Sequence, residues 1–218
     1  MLKIYGVYRS RATRNVWLCD EMGIAYEQVP VVQASRVKDP LAADAPFNTR
    51  SPAFAKLNPA GGIPAIDDDG VVLAESLAIN LYLARKHGGP LAPASIAEEG
   101  QVAMWTLWGA TMMEPYTIQI LYNRVAKPPA ERDPKVADAA VETLKAQFAV
   151  LDGALAKDGF LVGGRFTVAD INVAEIVRYA MAAPELFVPA PNVKAWLATC
   201  HARPAFKAMM ARREAEPV

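Results

Sequence analysis

A run of turn formers, Gly88-Gly89-Pro90-Leu91-Ala92-Pro93, parts two stretches whose hydrophobic periodicities differ. Glycine tolerates backbone that other residues avoid and proline has no N–H to donate, so a helix or strand does not continue through such a run. Before it the patterns are short and mixed; after about Ser95 they are long and helical. The 218 residues therefore read as a small mixed α/β domain over 1–86, a linker at 87–94 and an all-α domain over 95–218.

Within the first part, Leu2–Tyr5 predicts a strand and Thr13–Met22 a helix that stops at Gly23, with Val16, Cys19 and Met22 toward one face. Tyr26–Val32 is β-rich. Residues 40–58 read as a loop holding one short helix. Asp68-Asp69-Gly70 is a hairpin signal between Ile63–Asp67 and Val71–Leu73. Glu75–Lys86 then has Leu77, Asn80, Leu81 and Ala84 at helical spacing. The order is β-α-β, a loop, then β-β-α. Helices follow at about 95–124, 135–157, 168–182, 192–202 and 204–213, broken by prolines and glycines.

Composition narrows the function. Lys plus Arg and Asp plus Glu are both 23, so a basic nucleic-acid or membrane surface is not expected. The uncharged run Gly100–Met113, between Glu99 and Glu114, is shorter than the roughly 20 residues a membrane span needs. No signal-peptide pattern opens the chain. Two cysteines, Cys19 and Cys200, and two histidines, His87 and His201, argue against a closed zinc site and a disulfide framework, and fit a reducing cytoplasm. No G-x-S-x-G, P-loop or G-x-G-x-x-G is present, which disfavours serine hydrolases and nucleotide enzymes.

Three local features carry chemistry. In Asn58-Pro59-Ala60-Gly61-Gly62-Ile63-Pro64, Pro64 suits a strand start; a cis Ile63–Pro64 bond would instead turn the Ile63 backbone toward an extended ligand. Glu75-Ser76 opens a helix. Its local reading is a cap with a first-turn carboxylate, its sharper one a cradle for a ligand's carboxylate and ammonium. Tyr5-Gly6-Val7-Tyr8-Arg9-Ser10-Arg11-Ala12-Thr13 joins the first strand to the first helix, with hydroxyls that cap the helix or donate to an anion at its start.

Taken in order and spacing, these residues resemble the cytosolic glutathione S-transferase family over nearly the whole chain. Asp69-Gly70, Ala78-Ile79 and Leu161-Val162-Gly163-Gly164-Arg165-Phe166-Thr167-Val168-Ala169-Asp170 extend the match, the last ending in a capping-box pattern. The resemblance implies a thioredoxin-like domain followed by a helical domain, with glutathione as co-substrate and no metal. It also implies a homodimer. Pro64 would be the cis proline, Ile63 would pair with the cysteinyl backbone, and Glu75 and Ser76 would hold the γ-glutamyl end. Ser10 would donate to the glutathione sulfur, with Thr13, Tyr8 and Tyr5 as alternates. Gly62 departs from the family, which often has Lys, Arg or Gln there to reach the glycyl carboxylate.

The implied reaction is conjugation of glutathione to small apolar electrophiles. Trp105, Trp108, Met112 and Tyr116 fall on one helical face; such a stripe is core, dimer interface, or a wall of the electrophile pocket. The alternatives are a non-catalytic binding module and a glutathione-dependent dehalogenase, isomerase or peroxidase. The module is less expected because no further domain follows the helical one.

Overall fold

Leu2 and Ile4 alternate inward along a strand too short to stand alone, and the sheet it joins supplies the missing partners. A computed structural model of the chain describes residues 1–217. Four strands, β1 (Leu2–Tyr5), β2 (Tyr26–Val29), β3 (Ala65–Asp68) and β4 (Val71–Ala74), lie in the order β2-β1-β3-β4. β1 and β2 are parallel, joined through helix α1 (Ala12–Met22). β3 runs antiparallel to both β1 and β4, with Ile4 opposite Ile66. This is the thioredoxin-like arrangement. β2 stops before Pro30, earlier than the expected Val32, because proline has no N–H for the ladder.

In α1 every residue from Ala12 to Cys19 is buried, a wider inner surface than the single stripe read from its pattern. It has neighbours on several sides: β1, helix α3 (Ser76–His87) and the last helix, α9 (Pro204–Ala215). Phe206 of α9 meets Trp17 edge to face with ring centres 4.9 Å apart. The short α2 (Pro52–Leu57) brings Phe54 into a cluster with Val31, Ala65 and Tyr5.

By its contacts the chain forms two compact units. One is Met1–Gly89 with the segment from Pro204 onward, and the other is Pro90–Arg203. α9 thus groups with the sheet, whereas the sequence assigns it to a domain running from 95 to 218. The reason is the α1 surface that Phe206 covers.

The second unit is helical. α4 (Ile96–Trp108) and α5 (Glu114–Leu121) are joined by a π-helical turn, Gly109–Met113, where sequence expects one continuous helix. Pro115 cannot donate to the Thr111 carbonyl, which accounts for the widened turn. A Cβ on Gly109 would lie 3.1 Å from Ile176 Cδ1, so glycine permits the close approach of α7 (Val168–Val177). α6 (Pro134–Asp158), capped by Asp133, and α8 (Pro191–Ala202) complete the unit. Asp170, fully buried, accepts from the Thr167 N–H at 2.8 Å, Leu161 N–H at 3.1 Å and Trp196 Nε1 at 2.9 Å. Burial pushes its carboxyl up, and these donors counter that. No helix among the described residues is long and apolar enough to cross a membrane.

Candidate functional site

The end of β1 and the start of β3 deliver two of the three sequence features to one spot. Gly6, at φ 152°, closes β1, and a Cβ built on it would meet Ala12 Cβ at 2.9 Å, Ile63 Cβ at 3.6 Å and Ser10 Oγ at 3.6 Å. Only glycine fits there without displacing its neighbours. The Ser10 hydroxyl and Ile63 therefore flank one point on the N-terminal unit. The Ile63–Pro64 bond is cis. Among the described residues, the Ile63 N–H and C=O enter no backbone hydrogen bond of the sheet or the turns. Asn58 Nδ2 donates to the Gly62 carbonyl at 2.8 Å, holding the turn that precedes Ile63.

Ser10 is half-buried. Its Oγ donates to the Val7 carbonyl at 2.6 Å and accepts from the Ala12 N–H at 3.1 Å, in the first turn of α1. Of the competing residues, Thr13 has its hydroxyl engaged, and Tyr5 and Tyr8 have their rings packed against neighbours. Thr13 is fully buried and donates to the Ser10 carbonyl at 3.0 Å. The Tyr5 ring packs toward Phe54 with centres 6.4 Å apart. The Tyr8 ring lies under the Arg212 guanidinium at 5.6 Å.

The third feature sits on α3. Glu75 is exposed at φ 68°, a backbone conformation that costs a non-glycine residue about 1–3 kcal/mol and that structures retain mostly at functional positions. Ser76 is buried, and its Oγ accepts from Arg14 Nη1 at 3.2 Å. Asn15 Nδ2 donates to the Ser76 carbonyl at 2.8 Å and to Asn80 Oδ1 at 2.7 Å, and Asn80 Nδ2 donates to the Arg14 carbonyl at 3.2 Å. This polar zipper fixes the start of α3 against α1. Sequence reading passed over Arg14 and Asn15; their signal was two polar residues inside an otherwise apolar helix face.

In the helical unit the inward residues of α4 and α5 are Val102, Thr106, Thr117 and Ile120, with Met113 between them. Trp105 and Trp108 are half-buried and meet edge to face at 5.1 Å, while Met112 and Tyr116 stand exposed. The stripe is thus not core in this unit. A cavity of about 350 Å³ within the unit is lined by Met181, Phe187, Leu197 and His201 among others, and holds none of the candidate residues. Cys19 and Cys200 are buried and enter no disulfide among the described residues; burial, with lesser contributions from Asp20 and Asp68, pushes Cys19 up to about 12, so it is inert near neutrality.

Residues 4–91 match the family model for the glutathione S-transferase N-terminal domain, and residues 110–204 the model for its C-terminal domain. The chain is 32% identical over 219 residues to glutathione S-transferase 3 of Zea mays, covering 96% of this chain and 93% of that protein. It resembles the theta class glutathione S-transferase of Xanthomonas axonopodis pv. citri, solved with glutathione bound, at 30% identity and TM-score 0.80 over 95% of each chain. It also resembles glutathione S-transferase I from maize, solved in complex with an atrazine glutathione conjugate, at 28% identity and TM-score 0.83 over 99% of each chain.

Proposed function

The chain belongs to the glutathione S-transferase family, and we propose that it conjugates glutathione to small apolar electrophiles with Ser10 as the hydrogen-bond donor to sulfur. The observation that carries this reading is the convergence at Gly6 of a half-buried hydroxyl and the unpaired backbone of Ile63. An extended tripeptide needs a strand-like edge for its cysteinyl residue, and Ile63 offers one beside Ser10. Glu75 would take the γ-glutamyl ammonium, and Ser76 with the first N–H groups of α3 its carboxylate.

A free thiol near pKa 8.5 is only a few per cent ionised at neutral pH. Lowering it by about two units requires roughly 2.7 kcal/mol of preference for the thiolate. To supply it, the Ser10 hydroxyl swings from the Val7 carbonyl to sulfur. It exchanges a neutral hydrogen bond of about 0.5–1.5 kcal/mol for a charge-assisted one of about 1.5–3 kcal/mol. The Ala12 N–H stays on Oγ, and the start of α1 adds the favourable end of its dipole. The thiol proton leaves to solvent. The thiolate's electron pair then forms the bond to the electrophilic carbon, and the leaving group departs with its own pair.

We assign contact with the electrophile to the aromatic and methionine stripe, Trp105, Trp108, Met112 and Tyr116, and propose a cytoplasmic homodimer acting in detoxification. Retention on immobilised glutathione together with turnover of an aryl halide tests the proposal. Retention without turnover would reassign the chain to the binding modules of the family. Neither retention nor turnover would remove glutathione from the reading altogether.

A further inference from the structure

The loop that carries Ser10 is held by a segment more than two hundred residues away. Glu216, half-buried just past α9, accepts from the Tyr8 N–H on Oε1 at 2.8 Å and from the Arg9 N–H on Oε2 at 2.7 Å. Its backbone carbonyl accepts from Arg9 Nε at 2.9 Å, and Arg213 Nη1 donates to the Tyr8 carbonyl at 2.6 Å. Both oxygens of one carboxylate thus grip consecutive peptide groups immediately before Ser10. α9 is itself anchored on α1 by Trp17–Phe206 packing and by the ion pair of Arg212 with Asp20.

We infer that Glu216 is a positioning residue for Ser10, latching Tyr8-Arg9 so that the hydroxyl is presented to the sulfur at fixed geometry. The inference rests on the reading of Ser10 as the sulfur's donor. Residues 7–11 lie outside both strand and helix, so their conformation depends on such contacts more than on a ladder or helical bonds. Charge-assisted bonds to two successive N–H groups constrain the torsions that aim the next side chain. The charged and titratable groups around the latch are Arg9, Arg213 and Arg212, with Tyr8, Asp20 and Tyr26 behind Arg212.

The test is a double-mutant cycle on aryl halide conjugation and on the pH profile of turnover, with Ser10→Ala, Glu216→Ala and the pair. Glu216→Ala is expected to lower kcat about tenfold, raise the apparent thiol pKa and leave KM for glutathione within about twofold. On the Ser10→Ala background the same change should alter kcat less than about twofold. Equal losses on both backgrounds would overturn the latch while leaving Ser10 in its role. A silent Ser10→Ala would remove the sulfur assignment, and this inference with it. Should Glu216→Ala not fold, Glu216→Gln, which keeps one acceptor for the two N–H groups, runs the same cycle with a smaller expected loss.

Discussion

Ser10 Oγ points its proton at the Val7 carbonyl, 2.6 Å away, so the hydroxyl proposed to meet sulfur is already engaged within its own turn. The turn keeps the donor oriented and half-buried until a stronger acceptor arrives. A bound thiolate would be that acceptor under the proposed role of Ser10.

Replacing Ser10 by Ala should therefore separate chemistry from folding. The lost neutral hydrogen bond at a half-buried turn costs no more than about 1 kcal/mol of stability. The thiol of bound glutathione should titrate about one unit higher, the start of α1 retaining its share, followed by the ultraviolet absorbance of the thiolate. An unchanged titration would transfer the sulfur contact to another donor.

Glu75 holds a backbone angle that glycine adopts freely. Glu75→Gly should relieve about 1–3 kcal/mol of strain and return roughly 0.5–1 kcal/mol to the entropy of the unfolded chain. The expected net is a more stable protein that binds glutathione at least about tenfold more weakly, read by calorimetry and thermal melts. Glu75→Gln, which keeps the backbone and loses the charge, should weaken binding without raising stability. Affinity undiminished in both would exclude Glu75 from the ammonium site.

At Gly62 a side chain has open space, since an added Cβ meets nothing within 4 Å. Gly62→Lys should extend an ammonium toward the glycyl carboxylate of glutathione. An exposed pair of this kind contributes about 0.2–1 kcal/mol, a gain in affinity of no more than about fivefold. The gain should fade at high salt. Weaker binding would mean that the glycyl end lies elsewhere.

His201 lies in the helical unit, and burial lowers it to about 4, with Arg178 adding to the shift and Glu175 opposing it. The unfolded chain takes up this proton near 6.5 while the folded chain does not until about pH 4. The neutral imidazole's contribution is thus complete above pH 6.5 and is lost as pH falls toward 4. Unfolding free energies from urea titrations should drop across that window, by up to about 1 kcal/mol per pH unit after allowance for solvent screening. In His201→Gln the drop should be smaller. An identical drop would assign the acid sensitivity to other groups.

Much of this molecule was legible locally. Strand and helix order followed from short β-rich runs and helical spacing, and Gly23, Gly88 and Gly159 stand at helix ends with positive φ, as helix-stop chemistry requires. Thr167 and Asp170 announced their capping box three residues apart. What was missed shares one property: it joins distant segments. Arg14 bonds to Ser76 across 62 positions and Glu216 reaches Tyr8 across 208.

By itself, then, the sequence determined the elements, their order and the family, because caps, turns and periodicities act within a few residues and leave their mark there. The tertiary structure alone decided that α9 packs on α1, that Thr13 is buried while Ser10 stays half-exposed, and that a carboxylate from the far end of the chain grips the Ser10 loop. Those outcomes depend on which surfaces exclude water together. Hydrophobic burial is non-directional and carries no label in the local sequence to name its partner.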